Sequence, residues 1–163
     1  MARESSKKKA DKSKPPSIAV LVDNEHEAIQ VWYPYLRFQE SGCNVTVVGS
    51  GPKPSFSSMN GYPIKAERNI ENVSPKDLHA LIIPGGWGAY HLRINEPVRE
   101  LVRSTDAAGR VVASCTHGGW VLASVGDLRG RAATANRALR DDMKNVDLGD
   151  LALIPVASAQ ALF

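Results

Sequence analysis

Residues 110–126 read "RVVASCTHGGWVLASVG": a β-branched run, a short polar turn, a pair of glycines and a second apolar stretch. With no loop between them, these read as a strand turning directly into a helix, the unit from which parallel α/β sheets are assembled. At such a turn strand and helix crowd one another, so the residues two before and two after the apex must be small. With Thr116 at the apex those places fall to Ser114 and Gly118, both small. With Cys115 there they fall to Ala113 and His117, and an imidazole ring fits badly. The steric reading therefore puts Thr116 at the apex and leaves Cys115 as the last residue of the strand, a small buried hydrophobe. His117 then opens the helix, whose first N–H groups can receive an anion or oxyanion.

The same alternation continues upstream. "HALIIPGG" (79–86) reads as a buried strand ending in a glycine turn, where Gly85 and Gly86 are either further backbone donors or simply a tight turn. "SIAVLVD" (17–23) and "CNVTVVG" (43–49) are two more strands covered on both faces. Between them, "NEHEAIQVWYPYLRFQESG" places Ile29, Trp32 and Leu36 three and four apart, with Pro34 expected to kink or break the helix and Gly42 to stop it. Residues 50–75 read as turns with room for a short hairpin. "NEPVRELVRSTDAAG" (95–109) is a helix capped by Asn95, with Pro97 in its first turn, and "NRALRDDMKNV" (136–146) is another. Strands alternating with helices imply a mostly parallel sheet in an α/β sandwich. Ligands in such sheets bind beyond the carboxyl ends of the strands, which nominates the loops after Asp23, Pro84 and Cys115.

The chain has 163 residues and a formal net charge of +3. The opening "MARESSKKKADKSK" holds six Lys/Arg against Glu4 and Asp11, a net of +4, so the rest of the chain carries about −1. Residues 1–16 read as a disordered basic tail, neither signal peptide nor membrane anchor. No basic stripe with interleaved aromatics argues for a nucleic-acid partner, and no apolar run is long enough for a membrane span. Cys43 and Cys115 are too few for a disulfide scaffold and suit a reducing, cytoplasmic setting. No spacing points to a metal or a cofactor. Trp32, Trp87 and Trp120 are core aromatics or pocket lining, and His26 and His91 read as surface residues.

The stretches "NEHEAIQVWYPYLRFQESG", "ALIIPGGWG", "RINEPVRELV", "GRVVASCTHGGWVLASVGDLRGRAATA" and "LRDDMKNV" resemble, in this order, the PfpI-type intracellular protease/amidase family. That family, also called ThiJ/PfpI, lies within the class I glutamine amidotransferase-like superfamily. The resemblance covers about 17–146 and implies a flavodoxin-like three-layer sandwich with a nucleophile elbow. It also implies homo-oligomers with sites near subunit contacts. The family's elbow has a cysteine followed by His-Gly-Pro. Here His falls on His117, Gly on Gly118 and Pro on Gly119, so the nucleophilic cysteine falls on Thr116. The acidic partner of that thiol falls on Glu27, and a second acidic position falls on Tyr90. Residues 147–163 do not resemble the strands and final helix with which family members continue.

Three functions stay open at this point. One is altered acid–base chemistry on a small carbonyl or amide-like substrate (hydratase-, lyase- or isomerase-like, or a hydrolase), using Glu27 and Thr116. Another is a catalytically silent binding or scaffold protein. The last is a cysteine-dependent protease, amidase or glyoxalase/deglycase using Cys115.

Overall fold

A computed structural model describes residues 14–126 and 136–145. The expectations for the basic tail before Lys14 and for residues 147–163 lie outside the described residues.

The strands are β1 (Ser17–Val22), β2 (Asn44–Gly49), β3 (Ser55–Ser57), β4 (Pro63–Lys65), β5 (Arg68–Asn69), β6 (Ala80–Ile83) and β7 (Val111–Ser114). The helices are α1 (Ala28–Glu40), α2 (Gly88–Ile94), α3 (Glu96–Ala107), α4 (Gly119–Val125) and α5 (Arg140–Lys144). Five strands form one parallel sheet in the order β5-β2-β1-β6-β7. β1 is central, and from Ile18 to Val22 its side chains are buried, as expected of a strand covered on both faces.

Two cores flank the sheet. Ile18, Val20, Val22, Val45, Val47 and Ile82 face α1, with Val31, Phe56 and Ile64. Ala19, Leu21, Val48, Leu81 and Ile83 face the opposite layer of α2, α3 and α4. This is the α/β sandwich expected from the alternation, in the three layers that the family resemblance implies.

α3 starts where the sequence places it: the Asn95 side chain accepts the Val98 N–H at 3.3 Å. Its stripe of Val98, Leu101, Val102 and Thr105 is buried at helical spacing. α1 ends at Gly42, whose φ of +79° suits glycine. Pro34 does not break α1, which runs through it; the cost is that the Gln30 carbonyl loses its i+4 N–H donor.

Two elements were not anticipated. α2 packs behind the Gly85–Gly86 turn, and β5, only two residues long, extends the sheet beyond β2. The stretch 50–75 holds the antiparallel hairpin β3–β4. That hairpin clamps the loop after β1: Glu25 N–H donates to Ser57 O at 2.7 Å and Met59 N–H to His26 O at 3.0 Å.

The periodicity of α1 holds, with its faces reversed. Val31, Tyr35 and Phe38 pack on the sheet, while Ile29, Trp32 and Leu36 face outward.

Candidate active site

β1 has β2 on one side and β6 on the other, so the loops leaving β1 and β6 diverge and open a crevice at the carboxyl end of the sheet. Glu27, Gln30, Met59, Gly86, Trp87, Thr116, His117 and Asn136 line a cleft of ≈ 220 Å³ there.

The apex of the elbow is Thr116. Its φ of +43° is left-handed, an uncommon state for a β-branched residue and one found at functional turns. A 3₁₀ turn over Thr116–Gly118 then leads into α4. The small-flank requirement is strict at Gly118, where a Cβ would lie 2.5 Å from the Ile83 carbonyl oxygen. Gly85 is equally constrained: a Cβ there would fall 1.9 Å from Thr116 Oγ1. Gly86, with φ +80°, lies so close to the loop after β1 that a Cβ would meet Glu25 O and Glu27 N, each at 2.6 Å.

The side chain bonded to Thr116 is Gln30. Thr116 Oγ1 donates to Gln30 Oε1 at 3.2 Å, and Gly85 N–H donates to the same oxygen at 2.8 Å. Sequence reading gave the partner's place to Glu27, one turn earlier. Glu27 lines the cleft, and its backbone N–H donates to Gly85 O at 3.1 Å. The available signal was the i,i+3 spacing of Glu27 and Gln30 at the start of α1, which leaves both on one side of the helix.

Two of the three glycines expected as oxyanion donors have their N–H groups occupied. Gly85 donates to Gln30, and Gly118 donates to Cys115 O at 2.7 Å. Gly86 makes no such bond among the described residues. The His117 N–H precedes the first bond of the turn and has no partner within it.

Cys115 corrects the picture of a buried hydrophobe. It is an exposed residue directly after β7, in extended conformation. Its sulfur is nonetheless packed closely enough that burial raises the thiol above its ordinary pKa, the wrong direction for a nucleophile.

His117 is held by aromatics: its ring stacks on Trp87 with centroids 5.9 Å apart and meets Trp120 at 5.0 Å. Trp87 is 54% exposed and belongs to the cleft. Trp120 is anchored through Nε1 to Asp142 at 3.2 Å, which ties α4 to α5. Tyr90 is exposed and lies edge-on to His91, outside the cleft lining.

His26, expected at the surface, is 1% exposed. Its Nδ1 donates to Asp23 O at 2.9 Å, its Nε2 has no partner among the described residues, and burial lowers its pKa. The strand-like bridges of its backbone to Ser58 and Gly86 carry the ring inward.

A family model described as the DJ-1/PfpI family matches residues 16–150. The chain belongs to the DJ-1/PfpI family. Relatives of this DJ-1/PfpI protein include deglycase PH1704 of Pyrococcus horikoshii, 34% identical over 128 residues, 78% of this chain and 76% of the relative. Deglycase PfpI of Pyrococcus furiosus is 36% identical over the same shares. Among solved structures, a two-domain protein of Anabaena variabilis with DJ-1/ThiJ/PfpI-like and ferritin-like domains is similar at TM-score 0.79 and 27% identity. The match covers 86% of this chain and 41% of that one. Schizosaccharomyces pombe DJ-1 shares the fold at TM-score 0.73 and 17% identity, over 83% of this chain and 76% of that one. Among the described residues no helix of this family member is long and apolar enough to cross a membrane.

Proposed function

We propose that this DJ-1/PfpI-family protein is an enzyme that moves a proton on a small carbonyl compound without forming a covalent bond to it. The observation that carries this reading is the Thr116–Gln30 hydrogen bond. A threonine hydroxyl becomes a nucleophile only beside a general base, and an amide oxygen takes no proton near neutral pH. The carboxylate on the cleft wall is Glu27, and that leaves acid–base chemistry. Relatives named deglycase support a small carbonyl substrate.

In the proposed step, water first adds to the aldehyde of a dicarbonyl substrate such as methylglyoxal to give its gem-diol. Glu27 removes the proton on that carbon, next to the remaining carbonyl, and reprotonation of the neighbouring carbon then leaves the diol carbon as a carboxyl group. The C–H electron pair becomes the C=C bond of an enediolate, and the carbonyl π pair moves onto oxygen. The Gly86 and His117 N–H groups face the developing oxyanion. Glu27 then returns the proton to the adjacent carbon. Thr116 holds the substrate oxygen by rotating its hydroxyl away from Gln30.

Methylglyoxal turnover in deuterated water, followed by NMR, tests this. Deuterium at the carbon alpha to the product carboxylate, with turnover lost in Glu27→Gln, supports the proposal. Turnover that depends on Cys115 and survives in Glu27→Gln contradicts it. The unactivated hydroxyl of Thr116 also fits a binding protein; saturable carbonyl binding without turnover or exchange would favour that second reading.

A further inference from the structure

The chain from β5 to β6 has to cross β2 and β1, the two strands that lie between them in the sheet. A connection between parallel strands is usually a helix, which fills the layer it crosses. Here the crossing is made by two short 3₁₀ turns, Ile70–Asn72 and Pro75–Asp77. They leave a cavity of ≈ 210 Å³ over the beginnings of β1 and β2. It lies at the amino end of the sheet, away from the cleft.

The two strands show why space remains there. Alternate residues of a strand share a face. On this face β1 presents Ser17, Ala19 and Leu21, and β2 presents Asn44, Thr46 and Val48, with Ala19 opposite Thr46. On the other face Ile18, Val20, Val45 and Val47 are all buried and apolar. The floor of the cavity is therefore small and partly polar, with Val73 and Leu78 as an apolar wall.

Six polar side chains line the cavity: Ser17, Asn44, Thr46, Arg68, Ser74 and Asp77. Among the described residues none of these side chains has a hydrogen-bond or ion-pair partner, and Arg68 and Asp77 do not pair with each other. Polar groups converging on a concave site fix the orientation of a ligand. A guanidinium takes a carboxylate through two parallel N–H donors, and a carboxylate takes an ammonium group. One cation and one anion beside an aliphatic wall suit a ligand with the opposite pair of charges and an aliphatic stem. The volume is below the roughly 300–1,000 Å³ of drug-sized pockets, so that ligand is small.

We propose that this cavity binds a free α-amino acid with an aliphatic side chain. Its carboxylate meets Arg68, its ammonium group meets Asp77, and its side chain lies against Ala19, Val48, Val73 and Leu78. The proposal is independent of the acid–base reading of the cleft.

NMR titration of the isotope-labelled full chain with L-valine tests it, beside isobutylamine and isovalerate, which each lack one of the two charges. L-Valine is expected to shift the amides of Thr46, Arg68 and Asp77 with a dissociation constant of about 1 mM or below. The amides of Thr116 and His117 in the cleft should stay in place. Each analogue should bind about tenfold more weakly or worse, and so should L-valine to Arg68→Gln and to Asp77→Asn. Both side chains are exposed and unpaired, so the two variants should otherwise keep the wild-type spectrum. The comparison of analogues on the wild type decides the matter if a variant fails to fold. No shift with L-valine or L-leucine up to about 10 mM overturns the proposal. Shifts confined to the cleft, equal binding of either analogue, or an affinity unchanged in both variants overturns it as well.

Discussion

Thr116 donates its hydroxyl hydrogen to the side-chain oxygen of Gln30 at 3.2 Å, and that same oxygen takes the Gly85 N–H at 2.8 Å. One amide thus ties together the three segments that build the cleft: the start of α1, the turn after β6 and the elbow after β7. It also caps the hydroxyl with a group that is no base.

Removing that amide should be felt in the fold. Gln30→Ala strips the Gly85 N–H of its acceptor, so a loss of about 2 kcal/mol in unfolding free energy is expected from urea titration. Gln30→Glu keeps an acceptor in place and should stay nearer the wild type.

The close packing at the elbow gives a second prediction. A Cβ on Gly118 would stand 2.5 Å from a backbone oxygen that cannot swing away, whereas one on Gly51 meets nothing within 4 Å. Gly118→Ala should therefore cost about 3 kcal/mol, while Gly51→Ala stays within about 0.5 kcal/mol, both by denaturant unfolding.

Cys115 should behave as an inert thiol. Burial raises its pKa, so alkylation of the folded protein should be slow at neutral pH and accelerate only in alkaline solution. The linkage has a definite sign: a raised folded-state pKa gives stability that is present at lower pH and lost as pH rises through the folded value. Cys115→Ser should abolish that alkaline component. Mass-spectrometric labelling against pH measures the first effect, and unfolding free energy against pH the second.

His26 gives the opposite dependence. Burial lowers its pKa from 6.5, so below that value the unfolded chain binds the proton that the folded one resists. Its stabilising contribution is complete above 6.5 and is lost as pH falls toward the folded value. Urea midpoints should fall on acidification from neutral pH, and His26→Asn should flatten that fall while keeping a donor for Asp23 O.

Much of this was legible in the sequence. β1, β2, β6 and β7 announce themselves as unbroken apolar runs, because a strand covered on both faces has no polar alternation to confuse it. Thr116 could be placed at the apex because Gly118 is the glycine that lets the helix pass Ile83. Other features depend on tertiary placement. The surface reading of His26 failed because three backbone contacts, not local pattern, turn its ring inward. The stripe of Ile29, Trp32 and Leu36 has the spacing of a buried face, and periodicity cannot distinguish a face buried in the fold from one left outside it. Glu27 and Gln30 share one side of α1, and only the tertiary placement of Thr116 decides which of them it meets.

The measurement that bears most directly on the account is the rate of methylglyoxal turnover in the wild type, Glu27→Gln, Thr116→Val and Cys115→Ser, made side by side. The account predicts turnover in the wild type and in Cys115→Ser, a loss of about 100-fold or more in Glu27→Gln, and a smaller loss of about tenfold in Thr116→Val. Turnover that vanishes with Thr116→Val or Cys115→Ser and is indifferent to Glu27→Gln would show a covalent route and contradict it.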